Sequence, residues 1–116
     1  LKQGALWGKA SDWVDNSGTI DGKSVGVAIF DSPANPRHPT TWHARTYGLF
    51  AVNPFGLHDF DASKKNDQTA GQLITPKGKS VTFAYRVYFH QGDATQANVA
   101  TVAKTYAKPP KVTLVP

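Results

Sequence analysis

The sequence predicts a mainly β fold with one C-terminal helix, and three observations predict it. Gly and Pro are plentiful, at 10 and 8 of 116 residues, and Val, Thr, Phe and Tyr are frequent; such a composition suits strands and tight turns. Two stretches, SVGVAIFD (24–31) and SVTFAYRVYFH (80–90), read as strands flanked by turn residues. Only DATQANVATVAKTYAK (93–108) spaces its apolar residues for a helix. At this length the chain is one domain, with a modest core.

The elements follow in order. Residues 5–14 (ALWGKASDWV) place two Trp around a Gly and suit an entering strand and a turn. Asn16-Ser17-Gly18 and Asp21-Gly22 are turn signals, and the second favours a tight hairpin. In SVGVAIFD, Val25, Val27 and Ile29 share one side and are expected to be buried. Pro33, Pro36 and Pro39 then recur every third residue, the period of polyproline II, so 32–39 should be an extended, stiff loop. TTWHARTYGLFAV returns to strand character, and a long loop follows from Asn53. QLIT, PKGK and SVTFAYRVYFH suggest a hairpin-like unit turning at Pro76-Lys77-Gly78.

At the end, Asp93 and Gln96 have the spacing of a capping box. Val99, Val102, Ala103 and Tyr106 fall on one helix face. Pro109-Pro110 stops the helix, and KVTLVP is expected as a closing edge strand.

Several function classes lose support at once. No apolar run approaches the ~20 residues of a membrane-spanning helix. There is no Cys, so thiolate and disulfide chemistry are excluded. The net charge is +5, but the lysines are scattered, whereas nucleic-acid binders gather theirs on a face. No GxSxG elbow, phosphate loop or GxGxxG occurs. Neither nucleic acid nor membrane is therefore expected as a partner, and a small polar ligand stays open. The chain opens at LKQGALWGK, with no Met and no signal-peptide pattern, and reads as a mature product or a piece of a longer protein.

The chemistry-bearing residues form two rows. If TTWHARTY is a strand, Thr41, His43, Arg45 and Tyr47 share a face. If SVTFAYRVYFH is one, Val81, Phe83, Tyr85, Val87 and Phe89 form the core side, and Thr82, Arg86, Tyr88 and His90 the other. On a common sheet the two rows would make one polar, ligand-facing surface; alternatively each is simply the wet side of a strand. Arg binds carboxylates or vicinal hydroxyls, aromatic rings stack on sugar faces, and His serves as acid or base. His43 and His90 are the catalytic candidates. Arg37, His38, Trp42, Arg45, Tyr47, Arg86 and Tyr88 are the ligand-binding candidates, the first two reaching in from the proline loop. The four histidines, His38, His43, His58 and His90, show no close ligand spacing; His58-Asp59-Phe60-Asp61 is the one tight group, and no metal or cofactor is assigned.

W-G-K-x-S-D-W (7–13), the block 25–56 and F-x-Y-R-V-x-x-H-x-G-D (83–93) resemble a bacterial family of unknown function whose members carry the label "methane oxygenase PmoA". The match runs from about Trp7 to Tyr106, and the chain resembles the C-terminal third of the longer members, which makes the remainder of the parent chain a partner. The label does not fit the residues, because a membrane methane monooxygenase needs spanning helices. The resemblance implies a soluble, β-rich protein, an antiparallel β-sandwich within a mutarotase-like supersandwich, carbohydrate-related work, and a periplasmic or secreted setting. Mutarotase-type chemistry pairs a His acid with a carboxylate base, usually Glu. Here every acid is Asp, so such a base is an Asp or lies outside these residues.

The leading expectation is therefore part of a sugar-active enzyme. One alternative is a non-catalytic sugar-binding or assembly module using Trp42, Tyr47 and Tyr88. Another is a metal-dependent enzyme, with outside histidines completing a site beside His38 or His58.

Overall fold

Five strands run through the described residues: β1 (Trp13–Ile20), β2 (Lys23–Asp31), β3 (Trp42–Ala44), β4 (Phe50–Val52) and β5 (Tyr85–Gln91). Two helices are added, the single turn α1 (Leu57–Phe60) and the longer α2 (Val99–Ala107), with short 3-10 turns at Gln3–Leu6 and Ala62–Lys64. The structure is a computed structural model and describes residues 3–114. It is mainly β with antiparallel sheets and a C-terminal helix, as the sequence predicts.

Asp21 and Gly22 join β1 to β2 with φ of 49° and 73°. That left-handed pair matches the twist of a two-residue hairpin. β5 pairs antiparallel with the other edge of β2, so the order is β1-β2-β5. β3 and β4 form a separate two-stranded sheet. The free side of β3 is bonded to the entering segment through Gly8 N to Trp42 O (2.9 Å), Trp42 N to Lys9 O (3.1 Å) and Ser11 N to Thr40 O (3.0 Å).

Directly paired residues point the same way, so the register sorts the large sheet into two faces. On one, Ala28 and Phe30 are buried against Val99 and Ala103 of α2, with Trp13, Tyr88, Val102 and Tyr106 at the margin. On the other, Val14 is buried with Leu6, Trp42 and Ala44, and Ile29, Phe50 and Val52 pack around them. The order of layers is therefore α2, large sheet, small sheet. Trp42 has no exposed surface, and its indole nitrogen donates to Ser11 O at 2.9 Å, which satisfies its one polar atom.

Several local expectations change. Asn16, Ser17 and Gly18 are not a turn; they pair with Val27, Gly26 and Val25 because the Asp21-Gly22 hairpin sets the register. The entering segment is a 3-10 turn followed by one bridge, Ala10 to Thr41, before β1. In β2 the buried side chains are Ala28, Phe30 and the terminal Asp31, while Val25, Val27 and Ile29 are half-buried. In β5 the expected core face is the exposed one: Tyr88 instead packs against the α2 cluster, and His90 is buried against Asp15.

The proline loop is not extended. Asn35 N donates to Ser32 O (2.9 Å) and His38 N to Asn35 O (3.3 Å), which close two consecutive turns. The TTWHARTY strand stops at Ala44: Arg45 N bonds to Leu49 O (2.8 Å), Gly48 N to Arg45 O (3.2 Å), and Gly48 takes φ 97°. Pro76–Lys79 does form a turn, with Lys79 N on Pro76 O at 3.0 Å, but no strand flanks it on either side before β5.

The capping box is present. Asp93 Oδ1 accepts from Thr95 N and Gln96 N (2.9 and 2.8 Å), and Gln96 Oε1 accepts from Asp93 N (2.9 Å). It caps a single turn that ends at Asn98, whose φ is 51°. The bonds Asn98 N to Thr95 O and Val99 N to Ala94 O make this a Schellman stop, so α2 begins only at Val99. The predicted helix face is the one that packs. Residues 109–114 form no strand, and Val115 and Pro116 of the expected edge strand lie outside the described residues.

Candidate functional site

β2 ends in a buried carboxylate. Asp31 accepts from Asn35 Nδ2 (2.7 Å) on Oδ1, and from His38 Nδ1 (2.7 Å) and Thr40 N (3.0 Å) on Oδ2. Its side chain is wholly buried, while that of His38 is 23% exposed. A buried carboxylate needs such donors, and here they fold the proline loop back onto the strand end. Asn35 in turn donates to Ala84 O and accepts from Ala84 N, both at 2.7 Å, which ties the loop to the start of β5.

The Asp31 bond takes the Nδ1 proton of His38 and turns Nε2 outward, 3.8 Å from Asp12 Oδ1. Asp12 is exposed at the β1 entrance. A cleft of about 200 Å³ opens here, lined by Asp12, Trp13, Asp31, Pro33, His38 and Lys104 among others. That is below the usual range of roughly 300–1,000 Å³ for drug-sized ligands, and suits one small polar group. An imidazole held by a buried carboxylate, with its second nitrogen facing a cleft, is equipped for proton transfer.

His90 occupies a second His–Asp pair. Its Nε2 lies 2.6 Å from Asp15 Oδ1, and both side chains are buried. Ser17 Oγ donates to the other oxygen of Asp15. Burial works against the charged imidazolium, but the hydrogen bond and charge of Asp15 outweigh it and raise the His90 pKa above its ordinary value. His90 Nδ1 has no hydrogen-bond partner.

His43 lies on the outer side of the small sheet, since Trp42 and Ala44 point to the core. Its ring meets Trp7 edge-on at 4.5 Å and Phe60 at 6.0 Å. Arg45 stacks on Trp7, with Cζ 3.8 Å from the ring centroid. α1 delivers Phe60 into the notch left by Gly8, where a Cβ would come within 2.5 Å of it. Tyr47 is exposed in the adjoining turn.

The expected common surface is therefore divided. His43, Arg45 and Tyr47 stay together outside the small sheet. Tyr88 packs against the α2 cluster on the far side of the large sheet, His90 shares that sheet face, and Arg86 stacks on Tyr106 of α2 at 4.7 Å. Tyr88 Oη donates weakly to Ala97 O at 3.5 Å. Trp42 is in the core. Arg37 caps three carbonyls, those of Pro54 (2.7 Å), Gly71 (2.6 Å) and Gln72 (2.6 Å), and so anchors the long loop. His38 and His90 both pair with a carboxylate, but the side chain of His38 is 23% exposed at its cleft and that of His90 only 1%.

Among the described residues no group of three or more His, Cys, Asp or Glu could hold a metal ion. His58 Nδ1 contacts Asp67 O at 3.1 Å, and Asp61 caps the following 3-10 turn through Ser63. Asp12 and Asp31 escaped the sequence reading as partners of His38. The available signal was a lone Asp closing an apolar strand seven residues before a His.

A family described as "Family of unknown function (DUF6807)" matches residues 1–104. The chain belongs to this family. The DUF6807 match takes in all five strands and most of α2, so both His–Asp pairs lie within it. No curated protein and no solved structure matches the chain.

Proposed function

We propose that this chain supplies an acid–base dyad, His38 oriented by Asp31, to an enzyme acting on a carbohydrate or similar hydroxylated ligand. The observation that carries the reading is the 2.7 Å bond from His38 Nδ1 to a wholly buried Asp31, with Nε2 left facing the cleft. Neutral His38 would take a proton from a ligand hydroxyl through Nε2, and the resulting imidazolium would be stabilised by Asp31. Asp12 is the second carboxylate within reach of the same ligand, and Trp13 offers a flat apolar side for a sugar ring. The carbohydrate class rests on the resemblance to the bacterial proteins labelled "methane oxygenase PmoA", and with it go the supersandwich plan and the place in the C-terminal third.

A panel of sugar derivatives presented to the natural-length protein tests this. His38→Gln should lower turnover by at least about tenfold, the scale of a lost acid–base group, with the thermal midpoint little changed. Turnover equal to wild type would remove His38 from the chemistry.

A second reading is favoured by the Arg45–Trp7 stack and its neighbours His43 and Tyr47, which suit sugar binding without turnover. Tyr47→Ala and Arg45→Ala would then weaken binding of an oligosaccharide that neither the wild type nor the variants turn over.

A further inference from the structure

The large sheet is covered on only part of one face. Leu6 and Trp42 cover Val14 and Ile29; on the same face their row ends in Val87, and the next rows continue through Val27, Phe89, Val25 and Ile20. Phe89 is 79% exposed, Ile20 64% and Val87 52%. Ile20, Val25, Val27 and Phe89 line an open apolar trough of about 670 Å³, and Val87 lies on the same face beside it. Scattered apolar side chains on a surface are ordinary; a contiguous sheet face is not.

The dimensions agree. The molecule measures 51 × 45 × 18 Å, with a radius of gyration of 16.8 Å. A compact chain of this length has a radius of about 13 Å. Its accessible surface is 8431 Å², whereas a folded monomer of this mass shows roughly 6,200 Å². The excess is on the order of 2,000 Å² over the whole chain; the exposed segments 72–82 and 108–114 share in it with the uncovered face, which still leaves room for the ~800 Å² per partner of a standard interface.

We infer that the uncovered face is the inner face of a sandwich whose second layer is an apolar β-sheet supplied by the same polypeptide beyond these 116 residues. The layer already begins as β3 and β4. Its β3 side is closed by residues 8–11, which leaves the β4 edge for further strands. A second copy is a poor occupant. Among the described residues its only matching apolar face is the same one, already half taken by a small sheet whose outer side carries His43. Each copy also brings a net charge of +5. This inference stands apart from the sugar chemistry, and its test reads no activity.

These 116 residues hold no Cys, and parallel labelling of the unsubstituted natural-length protein gives the background to subtract from each introduced reporter. Phe89→Cys, Val87→Cys and the control Ile74→Cys would be made in the natural-length protein, each checked for folding by circular dichroism, and treated with a maleimide. Ile74 is 74% exposed and lies outside the trough. The expected result is rapid labelling at 74 and at least about tenfold slower labelling at 87 and 89, independent of protein concentration, because opening of a packed layer must precede reaction. Labelling at 87 and 89 as fast as at 74 would overturn the proposal. Protection that is lost on dilution would overturn it equally, by naming a second copy as the occupant.

Discussion

The imidazole of His90 crosses the central strand above Gly26 to reach Asp15. Gly26 is the direct cross-strand partner of both His90 and Ser17, and Asp15 sits one step further along β1. A Cβ at position 26 would lie 2.6 Å from His90 Nε2 and 2.9 Å from Ser17 Oγ. The missing side chain is therefore the space that lets β5 bond to β1 across β2.

Gly26→Ala should push His90 off Asp15. The expected loss is about 1–3 kcal/mol, the usual range for overpacking a filled site. Urea denaturation of the variant measures it, and an unchanged midpoint would mean that the ring moves aside freely.

The His90–Asp15 pair should make stability depend on pH. A folded-state pKa raised above the unfolded value near 6.5 means that the charged imidazolium favours the fold. That contribution is complete below the unfolded value and is lost as pH rises through the higher folded one. Thermal midpoints of wild type and His90→Gln should therefore differ most in mild acid and converge at alkaline pH. A gap that widens with pH would reverse the assignment.

Asp31 and His38 should separate in their effects. Asp31→Ala strands Asn35 Nδ2, His38 Nδ1 and Thr40 N, so a loss of about 3 kcal/mol or more is expected, since each unmet buried group costs roughly 1–3 kcal/mol. His38→Gln sits at the cleft edge and should cost less than half of that. Paired denaturation curves decide the matter, and equal losses would make His38 a structural member of the cluster.

Arg37→Lys should loosen the long loop. One ammonium cannot reproduce the planar fork that reaches Pro54, Gly71 and Gln72 together. Hydrogen exchange should quicken over 54–57 and 69–73, with β1 and β2 unaffected. Wild-type exchange in the variant would show that the loop is held by other contacts.

Local rules were legible where neighbours in sequence supply the partner. The Asp21-Gly22 hairpin, the Asp93–Gln96 box and the Val99/Ala103 face each involve residues a few positions apart. Asn98 escaped notice because its left-handed backbone, which delays α2, has no strong marker when the residue is not Gly. The proline loop misled for a related reason. Proline spacing favours an extended chain, but the pull of Asp31 on Asn35, His38 and Thr40 outweighs it.

By itself the sequence determined a mainly β chain, its first hairpin, its final helix and which residues alternate together along each strand. Alternation says that Val87 and Phe89 share a side, and that Tyr88 and His90 share the other; it does not say which side another layer will cover. Only the tertiary structure decided that α2 lies over the polar side of β5, and that a buried carboxylate at the end of β2 gathers His38. Both depend on contacts between segments far apart in the chain, and local backbone preference carries no information about which distant surface will exclude water from a given face.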